Sequence, residues 1–92
     1  MIRLTIKSTG NPIYIAPENI TAICDNKEGG AEVYSGHDFS LVRETAEEVA
    51  RKVLEYRLAM IDYHHDIPSV KIKAMAELVR LAGLEEPDHD AG

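Results

Sequence analysis

The spacing of apolar residues changes once along this chain, near residue 44, from every second position to every third or fourth. Before the switch, short alternating runs are separated by turn residues; after it, apolar positions recur at the period of a helix. Consecutive strands joined by short turns must pair antiparallel, because parallel neighbours need long crossovers. A sheet with one apolar face then needs a helical cover. The predicted class is therefore α+β: an antiparallel β-meander of four or five strands over residues 1–43, a long helix packed on it and a second C-terminal helix over 44–84, and a mobile acidic tail over 85–92, all in one domain, 1–92.

The strands are legible one by one. "IRLTIK" sets Ile2, Leu4 and Ile6 against Arg3, Thr5 and Lys7, and Gly10–Asn11 suits a tight turn. "PIYIA" opens on Pro12, tolerated where no ladder N–H is needed. "ITAIC" is rich in β-branched residues, "DNKEGG" is a polar hairpin loop, and "AEVYS", "GHD" and "FSLV" complete the meander.

Over "RETAEEVARKVLEYRLAMIDYHH" the helical signals agree. Thr45 and Glu48 have capping-box spacing. Glu44, Glu47 and Glu48 lie where the helix dipole favours negative charge, and Glu47–Arg51 and Glu48–Lys52 are i,i+4 pairs. Only Glu48, Arg51, Lys52, Glu55 and Asp62 form a polar face; Val49, Val53, Leu54, Tyr56, Leu58, Met60 and Ile61 occupy the rest. A helix resting on one sheet needs an apolar stripe only somewhat over 100° wide. The surplus predicts a second helix, a second subunit, or both, with Val53, Tyr56, Arg57, Met60 and Ile61 as candidate interface residues of a homo-oligomer. Arg57 falls within the apolar stripe. Either its stem snorkels out, or its guanidinium pairs with a carboxylate across an interface. The second helix is expected from Ser69 as N-cap through "VKIKAMAELVRLA" to Gly83 as a left-handed stop, with Leu84 supplying that motif's apolar contact.

Composition narrows the function classes. The chain has 92 residues, and a domain of this size buries only about 60–65% of its unfolded surface. With no Trp and one Phe, the core must be aliphatic. The formal charge is −6, which repels phosphate backbones, so nucleic acid is not an expected partner. Cys24 is the only cysteine, which fits a reducing cytoplasm; no apolar run suits a signal peptide or a membrane span, so no membrane insertion is expected.

The order of residues in "MIRLTIKSTGNPIYIAPENITAI" and "VYSGHDFSLVRETAEEVARKVLEY" resembles the small FlbD-type flagellar and swarming-motility family. The matching residues are Leu4, Thr5, Gly10, Tyr14, Ile15, Pro17, Ile20, Ile23, Gly36, Val42, Glu44, Thr45, Glu47, Glu48 and Val49. The pattern stops near Asp62. The resemblance implies a small, non-catalytic cytoplasmic protein that acts on motility through a protein partner, here linked to motility or borne on a mobile element. The strand–Gly–strand–"VRET"–helix stretch also resembles the end of a LytTR-type DNA-binding domain, which implies a DNA-contacting regulator working through "DNKEGG" and "GHD".

Four clusters are candidates for chemistry. In "DYHHDI", Asp62, His65 and Asp66 stand at i, i+3 and i+4. On a continuing helix they share a face and suit zinc or manganese, with His37, His89 or water as fourth ligand; the competing reading is a solvated helix end. Cys24 is a nucleophile candidate, but the charge of neighbouring Asp25 opposes thiolate formation, which favours a structural thiol. Glu44, Glu47 and Glu48 are acid–base candidates or helix-start residues. Asp25, Asn26 and Glu28 in a Gly-rich loop suggest calcium, but the loop is far shorter than an EF-hand's. The expectation from these weighings is no catalytic site, no cofactor and no enzymatic activity.

Overall fold

The first two strands form a hairpin, β1 (Ile2–Thr5) with β2 (Pro12–Ile15), which pairs Ile2 with Ile15 and Leu4 with Ile13 on one face. The computed structural model describes residues 1–84. A 3₁₀ turn at Pro17–Asn19 leads into a three-stranded meander: β3 (Ile20–Asp25), β4 (Ala31–Ser35) and β5 (Asp38–Val42), in that spatial order. The two sheets meet where β1 runs out. Ile6 bridges Val42, the Lys7 N–H donates to the Leu41 carbonyl at 2.9 Å, and the Arg43 N–H donates to the Thr5 carbonyl at 2.8 Å. The ladder is thereby continued from β2 through β1, β5 and β4 to β3.

The meander departs from strict alternation at one place. The β3–β4 register shifts between Ile20 and Ala22, leaving Thr21 as a bulge. Ile20 then faces the same side as Ile23 although they are three residues apart, because their partners Ser35 and Val33 share a face of β4. Ala22 and Cys24 turn outward with Tyr34 and Glu32.

The long helix α1 (Ala46–Tyr63) crosses the inner face of both sheets, and its start is built as the spacing predicts. The Thr45 hydroxyl accepts from the Glu48 N–H at 3.1 Å, and the Glu48 carboxylate accepts from the Thr45 N–H at 3.2 Å, a reciprocal capping box. The Glu47–Arg51 pair forms at 3.0 Å. The other expected pair does not: Glu48 is engaged in the cap, and Lys52 donates to the Arg3 carbonyl of β1 at 3.0 Å.

The helix α2 (Pro68–Leu81) returns alongside α1, burying Ala74 and Leu81. Its N-cap is Ile67 and not Ser69. Pro68 occupies the first turn, where its missing N–H costs nothing, and no side chain caps the end. At the other end Gly83 (φ 69°) takes the left-handed position; its N–H donates to the Arg80 carbonyl and the Leu84 N–H to that of Val79. Leu84 itself remains 66% exposed.

Ile2, Leu4, Ile15, Ala31, Val33, Val42, Val49, Val53, Tyr56 and Leu81 form one cluster between sheet and helices. It is aliphatic apart from Tyr56, and each large side chain so buried contributes about 1.5–3 kcal/mol before entropy is counted. No buried side-chain polar atom lacks a partner among the described residues. No helix among them is long and apolar enough to cross a membrane. The acidic tail expected to be mobile, including His89, lies outside the described residues.

Candidate functional site

Helix α1 has three distinct sides. Val49, Val53, Tyr56 and Met60 point into the sheet. Ala59 is buried and Glu55 is paired with Arg80 of α2 at 3.1 Å, which marks the side that α2 covers. The third side has no cover among the described residues. There Leu54, Leu58 and Ile61 fall within about 60° of one another on the helix and stand 66%, 61% and 68% exposed. Arg57 lies beside them, exposed, and forms no ion pair among the described residues. Between this flank and the free edge of β3 runs a groove of about 320 Å³, lined by Ile20, Ile23, Ala50, Val53, Leu54 and Arg57.

Two other apolar patches stand out among the described residues. On α2, Ile72, Met75 and Val79 share a side turned away from α1. On the outer sheet face, Phe39 and Leu41 are exposed, and Phe39 stacks on Tyr34 with centroids 5.5 Å apart.

The candidate interface residues therefore divide. Val53 and Tyr56 belong to the chain's own core cluster. Met60 is half-buried against the same core. Arg57 and Ile61 are exposed, as are Leu54 and Leu58. One period of the helix separates these two sets, and apolar identity alone does not tell a sheet-facing residue from one turned aside.

The expected shared face of Asp62, His65 and Asp66 is not formed, because α1 ends at Tyr63. The His65 ring nitrogen Nδ1 accepts from the Ile67 N–H at 3.1 Å, shaping the turn into α2. No group of three metal-ligating side chains is assembled among the described residues. Asp62 and His65 instead line a groove between the helices together with Lys73 and Glu77. Glu77 and Arg80 bond at 2.8 Å, which lowers the Glu77 carboxyl below its usual range and raises the guanidinium.

The remaining clusters have structural partners. Cys24 is exposed on the outer side of β3, opposite Glu32. The Asp25 carboxylate accepts from the Ala46 N–H at 3.3 Å, a second acceptor at the helix start. The Asn26 side chain accepts from the Glu28 N–H at 2.8 Å and closes the loop on itself. Glu44 is the residue whose role the sequence conceals. Its carboxylate accepts from both the N–H and the hydroxyl of Thr5, each at 2.9 Å, and locks β1 to the junction of β5 and α1. The Tyr56 hydroxyl donates to Glu18 at 3.2 Å; burial first, then the carboxylate's charge and bond, push that phenol up. Both contacts join residues far apart in the chain, so no local spacing announces them.

Against protein-family models, curated proteins and solved structures, the chain has no significant match.

Proposed function

We propose that this chain is a non-catalytic, cytoplasmic protein–protein interaction module of the FlbD type, working as a homo-oligomer and acting on motility through a protein partner. The observation that carries the reading is the flank of Leu54, Leu58 and Ile61 left bare beside Arg57. Fully burying such a side chain contributes about 1.5–3 kcal/mol. A small domain with a thin core gains proportionally more from that burial than a large one. Contiguous aliphatic surface at helical spacing is what a partner helix or subunit covers.

The resemblance supports the same reading. Gly36 turns the β4–β5 hairpin at φ 62°, Thr45 and Glu48 cap α1, and Glu44 secures β1. These are scaffold roles. Glu44, Glu48, Asp25 and Asn26 all spend their polar atoms on the fold, which favours binding over catalysis.

Sedimentation equilibrium of the purified chain tests the assembly. The expected result is a concentration-dependent mass above that of the 10.2 kDa chain. A strict monomer at roughly 100 μM, well beyond micromolar affinity, overturns it. For the motility role, deleting the gene is expected to change swarm expansion, and unchanged swarming overturns that link.

A further inference from the structure

We infer that the free edge of β3 is a docking site for an extended peptide segment of the partner protein, which adds as an antiparallel strand and sets an aliphatic side chain in the groove between β3 and α1. The inference rests on the protein-partner reading above and names the chemistry of that partner.

The main chain says what kind of element fits this edge. β3 ends the ladder and pairs only with β4. Just beyond the paired residues, the Asn26 N–H donates to the Gly30 carbonyl at 3.1 Å. Bonded pairs alternate along an antiparallel ladder, so Cys24 and Ala22 turn their main-chain groups to β4. Ile23 and Asp25 then turn theirs to the open edge, where no other main-chain group among the described residues bonds to them. An extended backbone satisfies such a row, and a helix, whose own N–H and C=O groups are already paired, does not. Past the Thr21 bulge, Ala22 to Asp25 include neither proline nor lysine, the residues that commonly guard an edge. The opposite terminal strand, β2, is blunted by Pro12 at its start and Pro17 just beyond its end. The α2 patch and the outer sheet patch offer apolar side chains without an unpaired strand.

The side chains beside the edge say what that segment carries. A residue directly opposite Ile23 shares its face and points between sheet and helix. There the groove of about 320 Å³ is walled by Ile20, Ile23, Ala50, Val53 and Leu54, which suits a Leu, Ile or Val anchor. The groove is charged at its two ends, with opposite sign. Asp25 follows Ile23 by two residues and shares its face, as its bond to the Ala46 N–H shows. Arg57 stands at the other end, exposed and without an ion pair among the described residues.

The spacing fixes the order of charges on the segment. The Ala46–Asp25 and Tyr56–Glu18 contacts set Ile23 level with about Val49 of α1, so Arg57 lies about 12 Å further along. Two residues of an added strand span about 7 Å, and the stem of Arg57 leans back toward the helix N-terminus to close the rest. An antiparallel segment runs from Asp25 toward Arg57. Its inward positions, at every second residue, are therefore basic, aliphatic and acidic in that order.

The test follows backbone amides of the intact, ¹⁵N-labelled chain by NMR as a capped synthetic peptide, Thr-Lys-Thr-Leu-Thr-Glu-Thr, is added. The expected result is saturable binding that slows exchange of the Ile23 and Asp25 amides. Exchanging Lys and Glu in the peptide should weaken binding by ~fivefold or more, and Arg57→Glu should remove that preference. N-methylation of the peptide's Leu, whose N–H meets the Ile23 carbonyl, should abolish binding; N-methylation of the Thr after it, whose N–H points away, should not. Binding that ignores methylation of the Leu, or that is lost in Ile72→Asp, assigns the contact to another element or another kind of partner and overturns the inference. So does an absence of change at Ile23 and Asp25 with roughly 5 mM peptide, beyond millimolar affinity. Either failure leaves the sedimentation and swarming results, which decide the wider reading, unaffected.

Discussion

Replacing Glu44 with alanine tests whether the carboxylate is a fastener or a spare acid. It removes two hydrogen bonds from Thr5 to a charged acceptor. Bonds to charged groups are worth about 1.5–3 kcal/mol each, but this site is half-buried and water replaces part of the loss, so we expect about 2–3 kcal/mol in all. A chain of this length has about 5–14 kcal/mol in total. The melting temperature should therefore fall by about 10–20 °C. Glu44→Gln retains an acceptor oxygen and should cost about half as much, and Thr5→Val removes only the hydroxyl arm, at about 1 kcal/mol. Urea titration at constant m separates these effects from changes in the unfolded state. Glu47→Ala is the control, since that side chain is solvated and its ion pair lies on the surface. If Glu44→Ala moves the midpoint no further than Glu47→Ala, the lock between β1 and the helix start does not exist.

Gly30 sits at φ 78° with Val42 backbone where a Cβ would go, whereas Gly29 at φ 98° has open space; Gly30→Ala should cost about 2–4 kcal/mol and Gly29→Ala about 1, and equal losses on thermal melts would refute the difference. Tyr56's phenol is raised in the folded state, so its contribution is intact below about pH 10 and lost as pH climbs through the folded value. The wild-type melting temperature should drop there more steeply than that of Tyr56→Phe, with Tyr34, raised by its bond to Glu32, adding to the fall in both. Zinc or manganese at concentrations far above micromolar should leave the melting temperature unchanged, and a rise of several degrees removed by chelator would restore Asp62, His65 and Asp66 as ligands.

Much of the architecture is readable from residues alone. Alternation marks the strands, Thr45 and Glu48 mark the helix start, and Gly83 marks its companion's end. What escapes is anything decided across distance. Thr21 looks like any strand residue until its partner strand reveals the bulge. Ser69 has the chemistry of a cap, but Pro68 had already opened the helix. Leu54 and Val53 are equally greasy neighbours, yet one is bare and the other enclosed, and only the placement of sheet and α2 around α1 separates them. The helix surplus was visible; which third of it stays uncovered was not.

The first strand has a consequence for how the protein is made. Ile2 and Leu4 belong to one core cluster with Val42, Val49 and Val53, and Arg3 packs its stem against Gly83. A hairpin of two short strands has little stability alone. During synthesis β1 must wait, unfinished, for residues that follow it by some 40 to 80 positions. Closure comes late and all at once, so a ribosome stalled after α1 would hold out a greasy, half-built sheet for chaperones to find.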